Sequence, residues 1–110
     1  MILDTTENII TITQEDPSIV NFVKKIEASY SKFKNYHLII LLSSLKSIPL
    51  QDIVEFLRIS NTHRASKKSF VVVSNMVSQA EIPDEIVVVP TTQEAYDIIE
   101  MEEMERDLGF

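Results

Sequence analysis

HLIILLS, residues 37–43, and SFVVVS, residues 69–74, decide how this chain folds. Each is a short aliphatic or β-branched run without alternation, bounded by polar residues. A strand with one wet face alternates apolar and polar side chains, so unbroken runs belong to central strands covered on both faces, the habit of parallel pairing. Ile86–Val89, stopped by Pro90, reads as a third buried strand. At the other end Ile2–Thr5 and Ile9–Gln14 read as short strands. In the second, Ile10 and Ile12 alternate with Thr11 and Thr13, the pattern of a half-buried strand. Thr6, Glu7 and Asn8 between them suit a hairpin turn of unspecified type.

Helical spacing fills the intervals. Asp16-Pro17-Ser18 signals a helix start, with Pro17 at the first helical position. Ile19, Phe22, Val23, Ile26, Tyr30 and Phe33 then form one apolar stripe over four turns, predicting a single helix. Pro49 opens a second helix to about Thr62, with Leu50, Ile53, Val54 and Leu57 along one side. Thr91 and Glu94 have capping-box spacing, and a last helix runs to about Glu105 with Ala95, Ile98 and Ile99 inward. Strands alternating with helices predict one α/β domain over residues 1–110, with a mixed sheet of about five strands and three main helices.

Composition narrows the function. The chain has 110 residues, 45% apolar and 25% charged, with a net charge of −7, which suits a soluble globular protein. Its one glycine is Gly109, so no glycine-rich phosphate loop, dinucleotide fingerprint or nucleophile elbow is present. Cysteine is absent and the only histidines are His37 and His63, which excludes thiolate and histidine-rich metal sites. No cofactor is implied, and most enzyme classes are disfavoured. Residues 1–23 hold four acids and no base; residues 24–68, nine bases and three acids; residues 69–110, ten acids and Arg106 alone. Such an acidic protein is a poor non-specific partner for nucleic acid or an anionic membrane. No apolar run is long enough to span a bilayer, and the N-terminus lacks a basic region before an apolar stretch, so a cytoplasmic location is expected.

The order hairpin, helix, strand, helix, strand, strand, helix resembles the STAS domain, the fold of bacterial anti-sigma factor antagonists. IVVVPTTQEA, Ile86–Ala95, looks like the family's last strand, its Pro-Thr step and the Glu-Ala that opens its final helix. LIILLSSLKSIPLQDIVEFL, Leu38–Leu57, is similar in length and rhythm to the strand, loop and helix that carry the family's regulatory site. The departures matter as much. The family commonly ends its central strand with Asp, where this chain has Leu41. Its regulatory loop reads Asp-Ser-Ser-Gly, with the first Ser phosphorylated by a partner kinase; Pro49, Leu50, Gln51 and Asp52 occupy those positions. Leu50 has no hydroxyl to accept a phosphate, so the resemblance implies a member without the serine switch. The tail MEEMERDLGF resembles that of short chains labelled ribonuclease Z. Such an enzyme holds two zinc ions through a His-x-His-x-Asp-His motif, which two isolated histidines cannot supply. The tail therefore points at most to a neighbour or partner of such an enzyme.

The resemblance implies a non-enzymatic regulatory or scaffolding domain that meets a protein partner, such as an anti-sigma or kinase-like regulator. Its docking surface would be Ser47, Leu50, Gln51, Glu55 and Arg58. Ser43, Ser44 and Ser47 are alternative hydroxyls for modification, or Ser47 caps the helix. A competing reading is an accessory protein of RNA (tRNA) processing that uses the basic segment 58–68, with Arg58, His63, Arg64, Lys67 and Lys68; those cations equally suit a helix C-terminus. No aromatic residue lies between them to stack on bases, so nucleic acid is the less favoured partner. A third reading, a small hydrolase, would rest on Ser43 or His63. In the tail, Met101, Met104 and Leu108 are rotated from the inward stripe and either dock a partner or second copy, giving a homodimer, or pack on their own sheet. His37 reads as structural, and the tail acids as a solvated run without an acid–base pair.

Overall fold

The computed structural model describes residues 1–42, 48–77 and 82–109. It shows an α/β fold built on one five-stranded mixed sheet: β1 Ile2–Thr6, β2 Ile9–Thr13, β3 His37–Leu41, β4 Phe70–Val73 and β5 Val87–Val89, adjacent in that order. The hairpin β1–β2 is antiparallel and the other three pairings are parallel. Each expected strand is present, with ends shifted by at most two residues.

All of β4 and all of β3 but Leu41 are buried, as unbroken apolar runs require. One face carries Ile10, Ile12, Leu38, Ile40, Phe70 and Val72 beneath α1 (Ile19–Ala28), α2 (Tyr30–Phe33), α3 (Leu50–Ile53) and α4 (Leu57–Ala65). The other carries Ile39, Val71 and Val73 beneath α5 (Thr92–Asp107), alone among the described residues. On the first face Phe56 packs edge-on to Phe22 at 6.3 Å and tilted against Phe70 at 6.3 Å, which ties α1, the second helical segment and β4 together.

The first two expected helices are broken. The first starts later than Pro17: Ser18 is the N-cap, its Oγ accepting from Asn21 N–H, while Asp16 accepts from Ser18 N–H. It stops at Ser29, whose amide is shared between the carbonyls of Lys25 and Ile26. The second contains a 3₁₀ turn, Val54–Phe56. Three residues per turn set Phe56 behind Ile53 in the core, while Val54, four after Leu50, lies outward beside it, so the expected inward stripe of Leu50 and Val54 is corrected to Ile53, Phe56, Ile59 and His63. The last helix agrees with its signal: Thr91 Oγ1 accepts from Glu94 N–H at 3.2 Å.

A chain nearly free of glycine must close its helices with other residues. Gly109, at φ 82°, ends α5 by donating to the Arg106 carbonyl. α4 ends in a Schellman pair, Lys68 N–H to the His63 carbonyl and Lys67 N–H to that of Arg64, with Lys67 held at φ 65°. A side chain in that region costs about 1 kcal/mol relative to glycine. Lys67→Gly is expected to raise the unfolding free energy by about 0.5–1 kcal/mol in urea titration; an unchanged or lower value would contradict this strain.

Candidate functional site

Ligand sites in parallel sheets gather at the carboxyl ends of the strands, and here the chain after β3 leads through Ile48 into α3. Ile48 N–H donates to the Met76 carbonyl, which pins this segment to the loop after β4. Pro49, extended at ψ 148°, lets its carbonyl accept from Asp52 and Ile53 N–H and so starts the helix. With Ile53 and Phe56 buried, Leu50, Gln51, Val54, Glu55 and Arg58 all face solvent on successive turns. Leu50 and Val54 are each 36% exposed, a small apolar row with polar neighbours.

Arg58 reaches back to Glu27, Nε to Oε2 at 3.9 Å, and is otherwise largely exposed. Glu27, Tyr30, Arg58, Ile59 and Thr62 line a shallow groove of about 140 Å³ between the first and second helical segments. At its floor Tyr30 Oη lies 2.7 Å from His63 Nδ1. Since His63 Nε2 faces the Tyr36 carbonyl at 2.7 Å, an acceptor only, Nε2 carries the ring proton and Tyr30 donates to Nδ1. The ring is fully buried, and burial pushes its pKa down to about 4, with His37, Lys68 and Arg64 acting in the same direction. His63 is therefore a neutral joint between α2, α4 and the start of β3.

The basic segment is thereby divided. His63 is in the interior, which corrects its expected place on a positive surface. Arg64 points at α5: its Nη1 donates to Glu102 Oε2 at 3.0 Å and its Nη2 to the Phe70 carbonyl at 3.0 Å. Arg58 and Lys67 are exposed and Lys68 is half-buried. Of the proposed docking residues, Leu50, Gln51, Glu55 and Arg58 share the outward row. Ser47 lies outside the described residues, as do Ser43 and Ser44. Val54 belongs to the row too; its position four after Leu50 is the signal, hidden by reading it as inward.

A second polar cluster sits at the opposite ends of β3 and β4. Ser69 N–H donates to His37 Nδ1 at 2.9 Å, so His37 Nε2 carries the proton and donates to Glu103 Oε1 at 2.8 Å. Burial lowers the His37 pKa, and Glu103 opposes that shift. Glu102 is the hub: Oε1 accepts from Ser69 Oγ at 2.6 Å, Oε2 pairs with Arg64, and Arg106 lies 3.9 Å away. The expected solvated run of tail acids is thus corrected, because the Glu102 side chain is only 18% exposed. Its spacing from Ala95 and Ile99 places it on the inward stripe of α5, and an acid there is the signal that sequence reading passed over.

Among the described residues no group of three His, Asp or Glu side chains is disposed to hold a metal ion, and no helix is long and apolar enough to cross a membrane. The chain matches no family model and no curated protein.

Two outcomes follow from the buried polar groups. His63 has an ordinary value near 6.5 when unfolded and about 4 when folded, so below pH 6.5 the unfolded state takes up a proton that the folded state refuses. Stability is complete above pH 6.5 and declines toward pH 4, on the order of 3 kcal/mol in total, with His37 adding in the same direction. Denaturation midpoints between pH 7.5 and 4.5 measure this, and a flat profile contradicts it. Glu102→Ala strands the Arg64 guanidinium and is expected to cost about 2–3 kcal/mol. Combined with Arg64→Met, it should cost less than the two single changes together; an additive double-mutant cycle would refute the pairing.

Proposed function

We propose that this chain is a non-enzymatic, STAS-like regulatory domain that acts by protein–protein contact through the outward row of Leu50, Gln51, Val54, Glu55 and Arg58. The observation that carries this reading is the exposed apolar pair Leu50 and Val54, set among polar residues on the segment that follows β3. An antiparallel hairpin, three parallel pairings and a last helix on the second face support the same architecture. In that architecture the row stands where the resembling family presents its regulatory loop. Leu50 stands where the resembling family has its phosphorylated serine, so a kinase finds no hydroxyl at that position. The resemblance assigns such a domain to the bacterial cytoplasm.

Interface energy concentrates in a few desolvated side chains surrounded by polar neighbours, the composition of this row. Phosphate contacts, by contrast, need several free cations, and the pairing of Arg64 and the burial of His63 leave Arg58, Lys67 and Lys68 from the basic segment. The protein-partner reading is therefore favoured over the RNA-processing one.

The test is to identify the partner that co-purifies from the native cell and titrate it, once purified, against the whole chain. Leu50→Asp with Gln51→Lys is expected to weaken that complex at least about tenfold, or 1.4 kcal/mol, while the exposed positions leave the melting temperature unchanged. Unaltered affinity would remove this surface. A salt-sensitive gel shift with tRNA would instead favour the RNA reading.

A further inference from the structure

Among the described residues α5 lies alone on the second face of the sheet and covers β3, β4 and β5. Its Ala95, Ile99, Glu102 and Arg106 point inward and Glu103 is tied to His37, while among the described residues the flank toward β5 stays exposed. On the β5 side is a groove of about 250 Å³ lined by Val89, Glu94, Asp97, Ile98 and Met101. The same flank continues C-terminally through Met104, Glu105 and Leu108, each three or four residues on. Met101, Met104 and Leu108 are 49%, 58% and 71% exposed. These residues do not pack on their own sheet, and that alternative for the tail is set aside.

We propose that this flank is a docking site for a basic amphipathic helix of another protein. Residues 94–108 make a strip about 20 Å long at 1.5 Å per residue, enough for an apolar face of about four turns. Methionine side chains, unbranched and polarisable, mould themselves to an incoming surface. The occupant's charge follows from the rim. Glu94, Asp97 and Glu105 border the apolar positions, and the one base of α5, Arg106, is turned inward beside Glu102. Lysines or arginines beside the apolar face of the partner would meet these carboxylates and speed its capture. A second copy fits poorly: two-fold packing of this flank on itself sets Glu94, Asp97 and Glu105 against like charges. An anionic membrane surface is repelled for the same reason. The surface lies across the sheet from the Leu50–Arg58 row and does not rest on the function proposed for it.

The test uses the whole chain and three fluorescein-labelled peptides of about 18 residues. One carries leucines along a single helical face with lysines elsewhere. The second has the same composition scrambled so that no apolar face forms. The third replaces every lysine by glutamate. At about 0.15 M salt, anisotropy is expected to show the patterned basic peptide binding at least about tenfold more tightly than either control. Its amide shifts should fall on Val89 and residues 94–108. Met101→Ser with Met104→Ser should weaken it at least about tenfold, and Glu94→Lys with Asp97→Lys about as much. Glu100→Lys, on the other flank, should leave it unchanged. Equal binding of the scrambled peptide would mean charge alone is sensed, and would overturn the proposal. So would no binding, shifts centred elsewhere, indifference to the methionine changes, or self-association that those changes abolish.

Discussion

Four consecutive rungs between β3 and β4, Leu38 with Phe70 through Leu41 with Val73, pair two apolar strands that must be dry on both faces. Side chains alternate across a strand, so Leu38, Ile40, Phe70 and Val72 require one cover while Ile39, Val71 and Val73 require another. Among the described residues the first cover is assembled from α1 to α4 with the 3₁₀ turn Val54–Phe56, and the second from α5. Once β3 and β4 are central, β2 can add only on one side and β5 only on the other. The hairpin partner β1 is left on the outer edge, where all five of its residues are exposed.

Parallel strands begin at the same end of the sheet, and at that end the chain gathers its polar groups. His37 opens β3, Ser69 precedes β4, and both are tied to consecutive glutamates of α5. Arg64 connects the end of α4 to the same glutamate pair. Each histidine is held neutral with a defined tautomer, by a backbone amide in one case and a backbone carbonyl in the other. These groups orient helices against the sheet, an interior role that needs dry and satisfied partners. The opposite end, where β3 runs out toward α3, and the β5 flank of α5 carry apolar side chains that the fold leaves in water. Polar groups thus hold the layers together at one end of the sheet.

The central strands, the stripe from Ile19 to Phe33, the Thr91 cap and the alternation in β2 were legible because each is a local pattern whose period matches its secondary structure. The helix breaks were not. Ser29 and the turn at Val54–Phe56 are ordinary helical residues, and the breaks accompany packing between distant segments, Tyr30 on His63 and Phe56 on Phe22 and Phe70. The row from Leu50 to Arg58 was readable in part, since Leu50, Gln51, Glu55 and Arg58 keep the outward spacing. Val54 was misplaced because it was read with Ile53, whereas its spacing of four from Leu50 sets it beside that exposed residue.

Apolar periodicity settled the strands and the need to cover both faces of the central ones, since it depends on neighbours within a few residues, and composition settled the near absence of glycine-built loops. The fate of the charged and titratable residues belonged to the tertiary structure. Glu102 and Glu105 are both glutamates of one helix, yet Glu102 binds Ser69 and Arg64 across 33 and 38 residues while Glu105 stays exposed. His63 stands in a run of cations but is interior and neutral, because the turn of α4 that holds it faces Tyr30 and Phe70. Burial and partner distance set the state of such a group, and both arise only when segments distant in the chain are packed side by side.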